Sequence, residues 1–222
     1  MSGKPTIAID GPAASGKTVV GRELASRLEF RFLDTGNMYR AVTWAALDRS
    51  IGLKDEGALQ ELAESIEIRL VPMNGSDRLL ADGRDVTDLL RQREIDRGVS
   101  DVSAVSGVRR AMVPQQRAVA DQGPIVMVGR DIGTVVLPDA KVKVFLMASS
   151  NVRARRRHRE NLEKGITTDL GQVTIDLKRR DTQDTERADS PLRPADDALE
   201  IDTDSLSVEE VVALIMERVE RI

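Results

Sequence analysis

The stretch DGPAASGKT, residues 10–18, decides how this chain folds. Just upstream, TIAID at 6–10 is a short apolar run that predicts a buried strand. Just downstream, VVGRELASRL at 19–28 carries apolar residues at helical spacing. A glycine-rich loop between strand and helix, fitting G-x-x-x-x-G-K-[ST] from Gly11 to Thr18, predicts a phosphate cradle. Gly11, Pro12, Ala13, Ala14, Ser15 and Gly16 form the loop, whose backbone N–H groups (Pro12 has none) would turn toward phosphates, and the helix adds its positive N-terminal end. Lys17 would reach the β/γ-phosphate oxygens and Thr18 Oγ would bind Mg²⁺. Gly11 and Gly16 permit backbone conformations and approaches that a Cβ would obstruct. The alternative, a glycine-rich turn of a Rossmann-like unit, does not require the lysine and hydroxyl in that order. The pattern predicts a bound nucleoside triphosphate and is silent on what receives the phosphate.

Working outward, further apolar runs recur between helical segments: FRFLD at 30–34, IVMVG at 125–129, VKVFLM at 142–147 and ALEID at 198–202. With TIAID they predict an α/β fold, a five-stranded parallel sheet with helices on both faces. Ligands of such sheets bind at the carboxyl ends of the strands. The stretch 66–90 differs, because IEIRLV and DRLLAD alternate around Asn74-Gly75. It predicts an antiparallel hairpin, read either as a small inserted β lobe or as an ordinary surface hairpin.

Composition narrows the function classes. At 222 residues the chain suits a single domain, 1–222, with an insertion. Charged residues make up 32% of it but net charge is only −4, so any basic site must be local. The absence of cysteine excludes disulfides, thiol catalysis and cysteine metal sites. A Ser-His-Asp triad would rest on the single histidine, His158, which sits in an arginine run with no orienting partner evident. Aromatics at 2% argue against stacking platforms for single-stranded nucleic acid. No signal peptide or membrane-length apolar run is evident, so the expected compartment is the cytoplasm, with no membrane and no nucleic-acid partner.

Four segments are candidates for the acceptor side. LDTGNMYR at 33–40 places Thr35 and Gly36 at a strand end and Arg40 one turn into the next helix. Arg40 is either a bidentate phosphate ligand or a helix-surface arginine. IVMVGRDIGTVV at 125–136 sets Arg130 and Asp131 together at a strand's carboxyl end, as site residues or as a surface ion pair. In ASSNVRARRRHRENLEKG at 148–165, five of the seven residues 153–159 are arginine. At i,i+4 spacing Glu160 and Glu163 relieve only Arg156 and Arg159. The run is either a phosphate clamp that closes on ligand, with Gly165 as hinge, or a solvated basic helix. In LKRRDTQDTERADSPL at 177–192, Arg180, Asp184 and Arg187 would share one helical face. They hold an anion and a sugar hydroxyl, or form a salt-bridge ladder with Asp176. Spacing alone favours the ladder.

Together these pieces resemble one family, the bacterial cytidylate kinases. The matching stretches are IAIDGPAASGKT, LDTGNMYRA, VSDVSAVSGVRRAMVPQQR at 99–117, GRDIGTVVLPDAKVKVFLMAS at 129–149 and RRDTQDTERADSPLRPADDALEIDT at 179–203. The loop motif is widespread. The GRDIGTVV and R-D-x-x-D-x-x-R-x-x-S-P-L segments are far more specific. The resemblance implies ATP-dependent phosphorylation of CMP and dCMP, with Mg²⁺ as cofactor, by a monomer. It implies that Arg40 and Arg130 hold the acceptor phosphate, and that Ser100, Arg109 and Asp131, with Thr35 close by, read cytosine. It further implies that Arg180 and Asp184 touch the ribose, with Arg187 a further acceptor contact. By the same resemblance the inserted lobe 66–90 would lie on the monophosphate side and 150–168 would be the lid over ATP. Lys17, Arg130, Arg153 and Arg157 are then the cations expected to carry the transferring charge. Asn37 stands where the family more often has Ala, and Thr185 where Ser is common, and neither departure removes a charge from the site.

The rival readings are a kinase for AMP, UMP or a small alcohol, and a nucleotide switch. The switch needs N-K-x-D and D-x-x-G, and neither is present.

Overall fold

The computed structural model describes residues 5–73 and 76–221. Five parallel strands form the main sheet: β1 (Thr6–Asp10), β2 (Arg31–Asp34), β6 (Ile125–Gly129), β7 (Val142–Met147) and β8 (Leu199–Asp202). Their order is β2-β6-β1-β7-β8. All five apolar runs are therefore strands, and the parallel sheet is as expected.

Side chains alternate across this sheet, so each strand feeds two cores. Ile7, Ile9, Val126, Val128, Val144 and Leu146 pack with helices α1 (Lys17–Leu28) and α8 (Val208–Val219). Ala8, Leu33, Ile125 and Met127 point the other way. They pack with α2 (Thr35–Asp48), α3 (Glu56–Ser65), α4 (Arg93–Ala104) and α5 (Ser106–Ala120). Helices α6 (Ser150–Glu163) and α7 (Leu170–Glu186) touch each other through a separate small cluster of Ala154, Val173 and Leu177, against which Ala13 of the loop rests.

The 66–90 stretch forms a second, antiparallel sheet of β3 (Ile68–Met73), β4 (Ser76–Ala81) and β5 (Arg84–Asp85). The Asn74-Gly75 turn lies outside the described residues. The third strand follows from Asp82-Gly83, whose φ of 47° and 78° make a tight reversal of the kind that Asp-Gly favours. Ile68 faces Ala81 and Leu70 faces Leu79, and all four join the core of α2, α3 and α5.

Register brings the strand ends level. Asp10 pairs with Gly129, Asp34 with Val128 and Asp202 with Met147. The loops that leave these ends therefore share one edge of the sheet. Two glycines are needed there. A Cβ on Gly11, which has φ 145°, would sit 2.2 Å from Leu146 O. A Cβ on Gly129 would sit 2.6 Å from Thr35 Oγ1.

Candidate active site

A crevice of about 780 Å³ runs along that edge. Among the described residues, ten arginines and two lysines line it, against five carboxylates. A chain of net charge −4 has thus gathered a strongly positive interior, which suits a polyanion held away from bulk water.

At one end lies the loop 11–18. Gly16, with φ 96°, is the residue before α1, and Ala14 also has positive φ, at 60°. The Lys17 ammonium is buried and donates to Pro12 O at 2.6 Å and Ser15 Oγ at 3.3 Å. Burial, and next the nearby Arg130, push Lys17 well below the ordinary lysine range. A buried cation beside other cations is a strong partner for anionic oxygens.

Thr18 Oγ1 donates to Asp34 Oδ2 at 2.8 Å, and Asp34 Oδ1 caps α2 by accepting from Gly36 N at 3.0 Å. A hydroxyl and a carboxylate oxygen at the mouth of the loop are hard donors that fit a divalent cation shared with phosphates. Among the described residues no group of three or more His, Cys, Asp and Glu side chains is placed to hold a metal by itself.

At the other end, Arg109 Nη2 donates to Asp131 Oδ2 at 2.7 Å, both side chains being buried. The Arg109 guanidinium lies 5.3 Å from the centre of the Tyr39 ring and also donates to Ser103 O. Among the described residues, buried donors without a hydrogen-bond partner include Arg109 Nε and Arg187 Nη2. Orphan donors at a polar crevice suit a ligand rich in acceptors. Thr35 Oγ1 is committed to Val128 O. Arg40 donates to Leu90 O and pairs with Asp96 at 2.5 Å.

Asp184 sits among arginines. Arg130 Nε donates to it at 2.7 Å and Arg187 Nη1 at 3.4 Å. Burial works against the Asp184 carboxylate, yet Arg130, Arg180 and Arg187 hold it below its usual range. Arg180 itself is pushed down to about 10 by burial and then by Arg130. The expected ladder with Asp176 does not form, because Asp176 accepts from Gln172 Nε2. Asp184 instead draws its cation from the end of β6, a contact invisible to helical spacing. Arg187 lies one residue past α7 with extended backbone, φ −61° and ψ 142°, so it reaches Asp184 from a loop.

The arginine run divides its tasks. Arg153 is buried and clamps Asp181 with both Nη atoms, at 2.9 and 2.6 Å, while touching Ala13 O at 3.3 Å. It does not line the crevice, whereas Arg156, Arg157 and Arg159 do. Arg156 binds Thr203 through Oγ1 and O. Glu160 pairs with Arg157 at i,i+3 and with Lys164, rather than with Arg156 as i,i+4 spacing predicts. Both spacings bring side chains together on a helix, and Thr203 outcompetes for Arg156. Gly165, with φ 71°, stands just past the helix. His158 Nδ1 lies 3.0 Å from Thr168 Oγ1, and among the described residues no carboxylate pairs with it as a triad base would require.

The sequence matches the family model for cytidylate kinase over residues 7–221. This chain belongs to the cytidylate kinase family. It is 51% identical over 217 residues to a cytidylate kinase of Geobacillus kaustophilus, covering 98% of this chain and 97% of that protein. It is 46% identical over 221 residues to a cytidylate kinase of Bacillus subtilis, covering 100% and 99%. A crystal structure of an uncharacterized protein from Eubacterium ventriosum aligns with TM-score 0.53 at 13% identity, over 99% of both chains, and shares the fold.

In this cytidylate kinase family member the crevice brings together Ala13 to Thr18, Thr35, Arg40, Arg109, Arg130, Asp131, Arg157, Arg180, Asp184 and Arg187. Gly11 and Pro12 do not line it, and Pro12 O accepts from the Lys17 ammonium. Ser100 is buried on α4, but the α4 residues at the crevice are Val99 and Ser103. Residues that motif reading missed are Asp34, Asp96, Asp181 and Thr203. Thr203 Oγ1 donates to Ser15 O at 3.2 Å and to Met147 O at 3.0 Å, tying the loop to β7 and β8. Of these, Asp34, inside LDTGN beside Thr35, and Asp181, the first Asp of R-D-x-x-D, carried a sequence signal. Among the described residues no helix is long and apolar enough to cross a membrane.

Proposed function

We propose that this chain transfers the γ-phosphoryl group of ATP to CMP and dCMP, giving ADP and CDP or dCDP. One observation carries the reading: a single crevice joins the Lys17 loop to the Arg40, Arg109, Arg130, Asp131 and Asp184 cluster, in a member of the cytidylate kinase family.

The acceptor is a phosphate oxygen that is already anionic, so no strong general base is required. Transfer proceeds through a loose transition state with charge spread over the moving group. The chain's task is positioning and charge stabilisation. Lys17 meets the β/γ oxygens, Arg40 and Arg130 hold the acceptor phosphate, and Arg157 approaches from the lid. Arg153 acts through its clamp on Asp181 and its contact with Ala13. Removing one such preorganised cation costs on the order of 2.7–4 kcal/mol. Thr18 and Asp34 would hold Mg²⁺, which when bound neutralises phosphate charge.

Cytosine offers a 4-amino donor and acceptors at N3 and O2. Asp131 accepts from the amino group and Arg109 donates to the ring acceptors. Uracil reverses the first two groups, and a mispaired buried polar group costs roughly 1–3 kcal/mol. Arg180 and Asp184 take the ribose and Arg187 adds an acceptor contact, with Ser100 and Thr35 supporting the base side. Closure of the lid, 150–168, over ATP excludes water, with the lobe, 66–90, on the acceptor side. The chain acts as a cytoplasmic monomer with nucleotides as its partners.

The test is ADP formation from Mg-ATP with CMP, dCMP, UMP, AMP and GMP in turn. Turnover with CMP and dCMP well above the others is the expected result. ADP release at one rate with or without an acceptor would overturn it.

A further inference from the structure

Asp131 opens an unusual turn. The residues Ile132–Val136 form a single π-helical turn, and the Asp131 carbonyl accepts from Val135 N at 2.9 Å and Val136 N at 3.1 Å. Such turns are rare and concentrate at functional sites. The first N–H groups of any helical turn need an acceptor, and an Asp in the preceding position ordinarily supplies it with its own side chain. Asp131 makes no such cap. Its carboxylate is turned to Arg109 instead.

The two open N–H groups are met from another strand. Asp10, the last residue of β1 and the neighbour of Gly11, accepts from Ile132 N at 2.8 Å and Gly133 N at 2.7 Å, one with each carboxylate oxygen. Pairing of Asp10 with Gly129 sets the carboxylate beside the segment that leads into the turn. Asp10 is 4% exposed and does not line the crevice, so it is set back from the crevice surface.

We propose that Asp10 is a positioning residue that caps the Ile132–Val136 turn in place of Asp131, and so frees the Asp131 carboxylate to read the acceptor's base. This rests on the acceptor reading above and adds a residue to it. Without Asp10, the Asp131 carboxylate becomes the nearest acceptor for the open N–H groups. Its aim at Arg109 and at an exocyclic amino group is then lost. The same residue links donor and acceptor sides, since the phosphate loop begins at its own carbonyl.

The test compares wild type with Asp10→Asn, which keeps the shape but leaves only one oxygen to accept. Hydrogen exchange at the Ile132 and Gly133 amides is the direct readout. We expect exchange there to accelerate at least about tenfold in the variant, with the rest of the sheet unchanged. The kinetic readout is the ratio of kcat/KM for CMP over UMP. We expect it to fall about tenfold, through a raised KM for CMP, with the KM for ATP within about twofold of wild type. Unchanged exchange at both amides, or a uniform loss of activity with the CMP/UMP ratio preserved, would overturn the proposal. If the variant fails to fold, wild type alone decides: slow exchange at Ile132 and Gly133 supports the cap, and exchange as fast as in an exposed loop refutes it. A wild-type enzyme indifferent to CMP and UMP would instead sink the acceptor reading. That outcome is told apart because the two amides would still differ between wild type and variant.

Discussion

Thr18 and Asp34 are joined by a 2.8 Å hydrogen bond that ties the start of α1 to the end of β2. The same carboxylate caps α2 through Gly36 N. In Asp34→Asn the cap can survive through Oδ1, while the oxygen facing Thr18 becomes a donor. Apparent Mg²⁺ affinity or kcat should drop about 10–100-fold, as for other residues that orient metal ligands. Thermal melting should barely move. Steady-state rates across a Mg²⁺ titration, beside a melting curve, check this, and a variant with wild-type Mg²⁺ dependence would remove Asp34 from the site.

Arg109 and Asp131 form a pair whose side chains are 3% and 4% exposed. Arg109→Met strands a buried carboxylate, which should destabilise the chain by about 3–5 kcal/mol. Adding Asp131→Leu should recover most of that loss without restoring CMP turnover. Urea unfolding of the two variants, read with their rates, separates stability from recognition. Failure of the double variant to regain stability would show that the pair is not the source of the loss.

Arg153 and Asp181 form a two-pronged clamp between α6 and α7. If Arg153 acts through this clamp, Asp181→Ala should lower kcat by about as much as Arg153→Lys, since a point-charge lysine cannot reproduce the fork. If Arg153 met phosphate unaided, Asp181→Ala would leave kcat near wild type. Matched assays of the two variants distinguish these outcomes.

Asp10 is pushed up from 3.8 to about 6, first by burial and further by Asp131, against the bonds from Gly133 and Ile132 and the charge of Lys17. The sign follows from proton binding. Between pH 3.8 and about 6 the folded chain holds this proton more tightly than the unfolded chain does, so stability from this group falls as pH rises. The full loss is about 3 kcal/mol, reached above pH ~6. The unfolding free energy of wild type minus that of Asp10→Asn should therefore decline by most of that amount from pH 4 to 7. A difference that stays flat across this range would mean that Asp10 ionises normally. Retaining a costly buried charge at neutral pH is what a positioning role at a functional site would entail.

Much of this protein is legible in its sequence. The loop 10–18, the five strands and the helices between them follow from local pattern, because hydrophobic periodicity and a phosphate-loop motif are properties of adjacent residues. The placement of Arg130 and Asp131 at the end of β6, and of Arg40 one turn into the helix after β2, also follows, since parallel sheets put their loops on one edge. The third strand at Arg84–Asp85 was written in Asp82-Gly83, though the longer hairpin masks it.

What only the tertiary structure decided is which charge meets which. Arg130 finds Asp184, 54 residues away, Arg153 finds Asp181 rather than a neighbour on its own helix, and Asp10 serves a turn 122 residues downstream. Spacing along a helix ranks only partners within a turn. In a crevice where twelve cations face five carboxylates, pairing is set by burial and by the register of β1 against β6. Local sequence carries no trace of that register, because it arises only when distant strands align.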